Sequence, residues 1–284
     1  MIIASGTRPS RQRNLAVERA QGELVYFLDD DSLPLSDALS RIATAMKDPA
    51  VAVVGGPSLT PPTDSPFQRS IAAALASPLG GGGVRNRYRS VAGVRPCRDN
   101  ELILCNLAIR RAIFQDCGGL DERLYPNEEN ELLDRIRERK MVLVHDPGLV
   151  VYRSQRKTIP AFVRQMLTYG RGRGEQTRLT GRVQLPLLLP PLFICYLLSL
   201  PLISGRVTLL PLFVYLLLLL GTAAGISVRE GVLIGARAFG VILLTHLLYG
   251  SGVVIGLLAP RYRRKVSDGG VEIRIVKEMG ADWE

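Results

Sequence analysis

The chain of 284 residues is poor in the side chains that build soft-metal and redox centres. It has only two histidines, His145 and His246, and this excludes a histidine-rich metal site. Its four cysteines show no metal-type pairing, and one of them lies inside an apolar segment. We therefore interpret the cysteines as reduced and structural, as is typical of a cytosolic protein.

Aromatic residues are not interleaved with the basic ones, although basic residues are abundant. The formal net charge of +10 indicates an anionic partner, and nucleic acid, anionic lipid and phosphorylated substrates all fit that description. Nucleic-acid binding would rest on the charge alone. The lack of interleaved aromatic side chains and the long apolar segments after residue 184 count against it, so we expect no nucleic acid as a partner.

An apolar run that ends in three acids is the most informative part of the sequence. Leu24–Leu28 is rich in aromatic and β-branched residues, which predicts a buried strand of a parallel sheet, and Asp29, Asp30 and Asp31 follow it directly. In open α/β sheets the ligand crevice lies beyond the carboxyl ends of the strands. Three carboxylates there favour a bound Mg²⁺ or Mn²⁺, held by one or two of them and completed by substrate phosphates. A solvated acidic turn that caps the next helix is the alternative.

Residues up to about 180 alternate apolar runs with amphipathic helical patterns, which predicts an α/β fold. Residues 51–54 predict a second buried strand, and the Pro-, Gly- and Arg-rich residues 57–100 predict a binding loop or lid. A second acidic group, within residues 127–131, lies at the start of a predicted helix, where the helix macrodipole favours negative charge. That group is either functional or an ordinary charged helix start.

Three long apolar segments occupy residues 185–203, 209–226 and 231–258. The first carries no charge and would be about 28 Å long as a helix, enough to cross the hydrocarbon core of a bilayer. We therefore predict membrane helices over residues 181–260, followed by a polar, basic tail over 261–284. The third segment would measure about 42 Å as a straight helix, longer than the ~30 Å core. It also contains Arg237 and a Gly-Ser-Gly sequence at residues 250–252.

The distribution of basic residues gives a contradictory topology. Arg178 and Arg182 precede the first apolar segment, and residues 261–265 form a basic patch after the third. Because cytoplasmic loops are enriched in Lys and Arg, both ends are expected in the cytosol, yet three full crossings would place the tail outside. We therefore predict a bent or re-entrant third segment, since a broken backbone is tolerated in a membrane where protein covers it. Three full crossings are the alternative.

Seven short motifs occur in a fixed order between residues 10 and 173. They are Ser10-Arg11-Gln12-Arg13-Asn14, Ala20-x-Gly22-Glu23, Phe27-Leu28-Asp29-Asp30-Asp31, Cys105-Asn106-Leu107-Ala108-Ile109-Arg110-Arg111, Gly118-Gly119-Leu120-Asp121-Glu122, Asn127-Glu128-Glu129-Asn130-Glu131 and Tyr169-Gly170-Arg171-Gly172-Arg173. This ordered set resembles a family 2 glycosyltransferase with a GT-A fold. It is most similar to the membrane-anchored enzymes of bacterial exopolysaccharide assembly.

The resemblance implies an α/β, GT-A-like partial nucleotide-sugar-binding domain over residues 1–180, followed by a C-terminal bundle of membrane helices. Two features depart from the family pattern. The family's N-terminal strand–helix–strand unit is expected to be missing, because the chain reaches the strand Leu24–Leu28 after only one helix. That strand should therefore lie near an open edge of the sheet. In addition, the usual Glu-Asp pair is replaced by Glu128-Glu129.

The resemblance also implies an inverting transfer of a sugar from a nucleotide diphosphate sugar to a lipid-linked or glycan acceptor. Asp29 and Asp31 are expected to hold Mg²⁺ or Mn²⁺ at the leaving diphosphate. Glu129 is the expected general base for the acceptor hydroxyl, and Glu128 is expected to orient the acceptor.

Six further residues are expected to contact substrate, namely Arg13, Asn14, Asp30, Asn106, Arg171 and Arg173. Several have an ordinary structural interpretation as well. Arg13 fits a solvated helix residue, and Asn106 fits a strand residue with normal backbone bonds. Arg171 and Arg173 fit either a diphosphate clamp or basic residues that precede a membrane segment.

Nucleotide sugars are made in the cytosol, and residues 1–4 are too short for the apolar region of a signal peptide. We therefore expect a multi-pass protein of the cell inner membrane or plasma membrane, with a cytoplasmic catalytic domain in contact with the lipid bilayer. A truncated or degenerate, non-catalytic membrane-bound relative is the alternative.

Overall fold

The structure is a computed structural model that describes residues 8–183, 188–203 and 205–261, together with the backbone of residues 2–5 and 272–275. Its strands are β1 Ile2–Ser5, β2 Leu24–Leu28, β3 Leu33–Pro34, β4 Val51–Gly55, β5 Ser58–Leu59, β6 Arg95–Pro96, β7 Asn106–Arg110, β8 Val142–His145, β9 Val151–Tyr152 and β10 Glu272–Ile275. Its α-helices are α1 Pro9–Arg19, α2 Ala38–Ala45, α3 Pro66–Ala76, α4 Pro78–Gly81, α5 Arg111–Asp116, α6 Glu128–Glu138, α7 Ile159–Thr180, α8 Leu189–Ser199, α9 Leu210–Glu230 and α10 Val232–Leu258.

A five-stranded mixed sheet has the order β2-β7-β4-β8-β6. β7 runs antiparallel to both β2 and β4, and β4 runs parallel to β8. It follows that β2, β4 and β8 point the same way, so their carboxyl ends lie at one end of the sheet. The segments that leave these strands can therefore meet there.

Strand β2, which directly precedes the three acids, lies at the edge of this sheet, as predicted. The prediction of a buried, parallel strand was wrong, because among the described strands β2 pairs with β7 alone and runs antiparallel to it. With one neighbour instead of two, β2 is half-buried, and Leu28 at its end is exposed. The missing N-terminal unit stays a prediction.

Helices cover both faces of the sheet. On one face, residues of β4 and β7 such as Val53 and Leu107 pack with α1, α5 and α6. On the other face, Val54 and Ala108 pack with α2. Neighbouring residues of a strand point to opposite faces, which places successive side chains in the two cores. The predicted α/β fold is confirmed.

A three-stranded sheet, β3-β9-β5, lies beside the main sheet. β9 pairs antiparallel with β3 and parallel with β5, which fixes the segment that starts at Arg153 next to the segment that follows β2. The remaining strand pair joins β1 to β10 in antiparallel register, so the backbone of residues 2–5 lies beside that of residues 272–275. Most of the predicted basic tail, including residues 262–270, lies outside the described residues.

The apolar segments form helices of unequal length. Residues 206–230 and 232–258 are each long and apolar enough to cross a membrane by length and composition. The described part of the predicted segment 185–203 contains the eleven-residue helix α8, which at about 16 Å is too short to cross a bilayer core. Pro190 and Pro191 lie in its first turn, where proline is tolerated.

The predicted break at residues 250–252 was wrong, because α10 continues unbroken from Val232 to Leu258. Gly250 and Gly252 have another role, since a side chain at either position would collide with a neighbouring helix. An added Cβ would clash with the backbone of α8 at Gly250 and with that of α7 at Gly252. The glycines permit close helix packing, in the manner of small-residue contacts in membrane proteins.

The apolar helices α9 and α10 pack directly against helices of the part that contains the sheets. A single apolar cluster combines residues of α3 and α7 with residues of α9 and α10, for example Ile71, Phe162, Leu219 and Ile242. Its first two helices belong to the predicted 1–180 domain and its last two to the predicted 181–260 region. We call these four helices the helical layer. The exact domain boundary stays a prediction.

Candidate active site

Two carboxylates that follow β2 share one arginine. Asp29 and Asp31 lie at the end of the sheet where β4 and β8 also end. Arg153, which follows β9, donates from Nε to Asp31 Oδ1 at 2.7 Å, and its Nη2 lies 3.1 Å from Asp29 Oδ2. One positive group therefore lies between both acids, which offsets their mutual repulsion.

Arg13 of α1 connects these acids to the second acidic group. Its Nη2 lies 3.6 Å from Asp29 Oδ1, and its Nη1 donates to Glu128 Oε1 at 2.7 Å. Asp31, Arg153, Asp29, Arg13 and Glu128 thus form a continuous series of alternating charges, which we call the charged row. The two acidic motifs, far apart in the sequence, belong to one site.

Glu128 is the first residue of α6 and the most buried acid of the row. Only 2% of its surface is exposed, and its Oε2 has no hydrogen-bond partner among the described residues. Burial, together with the negative charge of Glu129, raises the pKa of Glu128 to about 8, although Arg13 opposes this shift. Glu128 therefore keeps a proton more readily than an ordinary glutamate.

Glu129 differs from its neighbour in exposure and in contacts. Its side chain is 12% exposed, and its Oε1 accepts a hydrogen bond from Asn130 Nδ2 at 3.2 Å. Arg87 Nη1 lies 3.8 Å from the same oxygen. Of the two glutamates, Glu129 is the one that a second reactant can reach.

Arg87 and Arg153 were not identified from the sequence as site residues. Arg87 is buried in the long loop before β7, where Nη2 donates to Asn130 Oδ1 at 2.7 Å and Nε to the carbonyl of Asn100 at 2.8 Å. Interpretation of residues 57–100 as a binding loop was the only signal that pointed toward Arg87. Arg153 gave the weaker signal of a cation directly after a strand.

Residues 24–228 match the family model described as glycosyl transferase family group 2. The chain belongs to this family. The match includes the acids of both motifs, together with Arg87 and Arg153. No curated protein sequence matches the chain.

A solved structure has a similar fold. It is described as the mannosyltransferase PcManGT from Pyrobaculum calidifontis in complex with GDP-Man and Mn2+, and it aligns with a TM-score of 0.50 and 14% sequence identity. The alignment covers 88% of this chain and 66% of that one, so the chain spans just under two thirds of the neighbour's length. At this identity the likeness concerns the fold alone, and it agrees with a GT-A-like α/β glycosyltransferase fold.

Asn106 lies in a scaffold position, and its contact with substrate stays a prediction. Its side chain is fully buried; Nδ2 donates to the carbonyls of Leu149 (2.6 Å) and Pro57 (3.2 Å). Its Oδ1 accepts a hydrogen bond from the Tyr26 hydroxyl at 2.7 Å. Because Nδ2 binds both carbonyls, Asn106 holds the segment that follows β4 against the segment that precedes β9. Each of its polar side-chain atoms has a protein partner.

Asn14 also lies in a structural position. It exchanges hydrogen bonds of 2.9 Å with the backbone N–H and carbonyl of Leu120, and this fixes α1 to the turn after α5. An added Cβ on Gly119 would clash with the Asn14 side chain, which explains the glycine at this position of the motif. Asp30, by contrast, is exposed, between the two acids that Arg153 binds.

Arg171 and Arg173 lie on α7 and contact protein, not the charged row. Arg171 donates to Glu175 Oε1 (3.2 Å) and to the carbonyl of Ala259 (2.8 Å). Arg173 is buried and donates to Gln176 Oε1 at 3.0 Å, while its Nε has no partner among the described residues. Their proposed contact with substrate stays a prediction.

Asp29 and Asp31 fit a site for a divalent cation, because both already bind the same positive group. The described residues contain no group of three or more His, Cys, Asp and Glu side chains placed to hold a metal. Mg²⁺ needs no such cage, since one or two carboxylates and substrate phosphates are its usual ligands. Two carboxylates that converge on Arg153 meet this requirement once Arg153 moves aside.

Proposed function

We propose that the chain is an inverting glycosyltransferase that moves a sugar from a nucleotide diphosphate sugar to the hydroxyl of a lipid-linked or polysaccharide acceptor. The family supports glycosyl transfer. The observation that carries the proposal is the bridge that Arg13 makes between Asp29 and Glu128. It brings together acids suited to a donor diphosphate and acids suited to an acceptor hydroxyl.

At the donor end, Asp29 and Asp31 would hold Mg²⁺ or Mn²⁺, and the solved neighbour with GDP-Man and Mn2+ supports a divalent ion. When bound, such an ion neutralises the charge that develops on the leaving diphosphate. Arg13 and Arg153 lie beside the two acids and can bind diphosphate oxygens through their planar guanidinium groups. Asp30, exposed between them, can reach the sugar.

At the acceptor end, Glu129 is the general base. The acceptor oxygen attacks the anomeric carbon on the face opposite the diphosphate, the bond from that carbon to the phosphate oxygen breaks, and the hydroxyl proton passes to Glu129. The nucleoside diphosphate leaves with the bonding electrons, and the configuration inverts. Glu128 is unsuited to be the base because it is buried and bound to Arg13. It holds Arg13 in place and, because the acceptor does not reach it, would orient the acceptor only indirectly.

The acceptor is proposed to be lipid-linked because the apolar helices α9 and α10 pack with α3 and α7 close to the site. The long apolar helices support association with a membrane, which we propose to be the inner or plasma membrane at its cytoplasmic face. Exopolysaccharide assembly is the proposed process, on the strength of the motif resemblance.

A donor screen with the full chain in lipid vesicles tests this function. We expect release of a nucleoside diphosphate from one or a few nucleotide diphosphate sugars, increased by a lipid extract that supplies acceptor, and abolished by EDTA. Activity that persists in excess EDTA would contradict the metal assignment. If no nucleotide diphosphate sugar binds or reacts, the non-catalytic relative would be the correct description.

A further inference from the structure

Both ends of α10 are attached to the part of the chain that carries the charged row. At the first end, Glu230 Oε2 lies 3.1 Å from Arg69 Nη2 of α3. α3 itself is bound to the segment after Arg153, since Gln68 Nε2 donates to the carbonyl of Gln155 at 2.8 Å. The turn between α9 and α10 is therefore held beside the sheet.

The other end of α10 is held by an ion cluster around the buried Glu175. Glu175 of α7 is 1% exposed and accepts hydrogen bonds from the Nε and Nη2 atoms of Arg261, both at 3.0 Å. The same Arg261 Nη2 donates to the carbonyl of Tyr125 at 2.7 Å, just before the acidic pair. Arg171 and Arg178 of α7 bind the carbonyls of Ala259 and Leu257.

Between these two ends, α7 runs alongside α10 in the same direction. An added Cβ on Gly170 would clash with Tyr249, and one on Gly174 would clash with Val253 and Gly256. α7 carries several charged residues, including buried Arg173 and Glu175. If α10 crossed the bilayer, these charges would enter the hydrocarbon with it, which is unfavourable.

The length of α10 also argues against a crossing of the membrane. Its 27 residues measure about 40 Å, which exceeds the ~30 Å hydrocarbon core. A crossing would place Arg69 and Glu175, which belong to one globular part, on opposite sides of the membrane. The turn also carries Arg229, which lies near Arg89, and the enrichment of arginine in cytoplasmic loops favours the cytosolic side for it.

The outer side of α8 and α9 is apolar and is not covered by any part of the chain that the structure describes. In the most apolar 18-residue stretch of the α9 segment only 17% is buried, compared with 39% for the corresponding stretch of α10. Large exposed side chains on α8 and α9 include Leu192, Leu198, Phe213, Leu217, Leu218 and Leu220. Arg206 precedes α9 and Arg229 lies in its last turn, at the two ends of this surface, where the phosphates of anionic lipids would lie.

We propose that the α9–α10 hairpin does not cross the membrane, and that α8 and α9 lie in the cytoplasmic leaflet, parallel to its plane, with acyl chains against their exposed side. This rests on the proposed membrane location but not on transferase activity. The turn at Glu230–Gly231 stays on the side of the charged row. Both ends of α10 are then cytosolic, which removes the contradiction in the distribution of basic residues.

Cysteine labelling tests the position of the turn. Val228 is 88% exposed beside the turn, so Val228→Cys in a Cys195→Ser background should accept a reagent without disturbing the fold. We expect an impermeant maleimide to label Val228→Cys in inverted vesicles but not in intact spheroplasts, as for a matched Glu18→Cys control on exposed α1. Labelling of Val228→Cys from outside intact spheroplasts would overturn the proposal.

Depth measurement tests the orientation of α9. Nitroxide labels at Phe213, Leu217 and Leu220 are expected to report one common depth in vesicles of phosphatidylethanolamine and phosphatidylglycerol. A spanning helix would instead change depth by up to about 1.5 Å per residue along this series. A steady change in depth would overturn the proposal even if the labelling result agreed with it.

Flotation with the same vesicles tests lipid as the occupant of the apolar surface. Leu217→Lys should reduce flotation at least several-fold, whereas Leu39→Lys, at a 72% exposed leucine of α2, should not. If the purified chain stays in solution without detergent as a dimer and does not float, a second copy covers the surface, and lipid as its occupant is refuted.

Discussion

The end of the sheet and the helical layer both depend on arginines, but the arginines act differently in the two regions. In the charged row, Arg153 lies between the partly exposed Asp29 and Asp31, and Arg13 lies between Asp29 and the buried Glu128. A substrate could displace the exposed carboxylates from both arginines. In the helical layer, Arg261 binds the almost fully buried Glu175 and closes the contact between α7 and α10. The first arrangement can exchange partners, whereas the second fixes the fold.

This difference separates residues expected to affect chemistry from residues expected to affect stability. The strongest test on the chemical side is Asp31→Ala. Because Asp31 is one of two proposed metal ligands, we expect turnover to fall to near background, while the melting temperature changes little, since Asp31 is exposed. Turnover and thermal unfolding would be measured in the same preparation. Asp116→Ala, at an exposed residue of α5, should keep full activity.

On the stability side, we expect Gly174→Ala to destabilise the protein by about 1–3 kcal/mol, the usual cost of overpacking. The added methyl would clash with the carbonyl of Val253 on α10. Gly225→Ala is the matched control, since a Cβ there meets nothing within 4 Å, and it should be neutral or slightly stabilising. Equal thermal unfolding of the two variants in detergent would show that the close contact between α7 and α10 is absent.

A smaller effect is expected when Arg153 is replaced. Arg153 must move away from Asp29 and Asp31 before these acids can hold a metal ion. Replacing it by alanine frees Asp29 and Asp31, so Mn²⁺ without donor should bind a few-fold more tightly, in line with the modest strength of partly exposed ion pairs. Electron paramagnetic resonance of free Mn²⁺ measures this without any turnover. Weaker binding in Arg153→Ala would mean that Arg153 supports the metal instead of competing with it.

The last comparison concerns the pH dependence of stability. Burial and Glu129 raise the pKa of Glu128 from 4.5 to about 8. A carboxyl group with a higher pKa in the folded state takes up protons on folding, so its contribution to stability is lost as the pH rises from about 4.5 to about 8. We expect the melting temperature of the parent chain to fall across this range relative to Glu128→Gln. Parallel curves would contradict the raised pKa.

The same contrast explains what the sequence could predict. The sheet and its acidic end were accessible, because apolar runs followed by acids are local patterns. The pairing of the two acidic motifs was expected only from the family resemblance. Arg87 and Arg153 were not identified, since their importance depends on which distant residues they meet. Asn106 and Asn14 occur in motifs, but a motif does not distinguish a residue that contacts substrate from one that holds a turn. The glycines of α10 were taken for a break because the neighbouring helices that they contact cannot be seen in the sequence.

The central claim is that one site combines a donor end, at Asp29 and Asp31, with an acceptor base at Glu129. Donor affinity and turnover, measured together for Glu129→Gln and Glu128→Gln, test it most directly. We predict that Glu129→Gln binds the nucleotide diphosphate sugar as the parent chain does but turns over roughly 10²–10⁴-fold more slowly, the usual contribution of a positioned general base. Glu128→Gln, which resembles the protonated form of that residue, should lose much less. An active Glu129→Gln beside an inactive Glu128→Gln would contradict the assignment of the base.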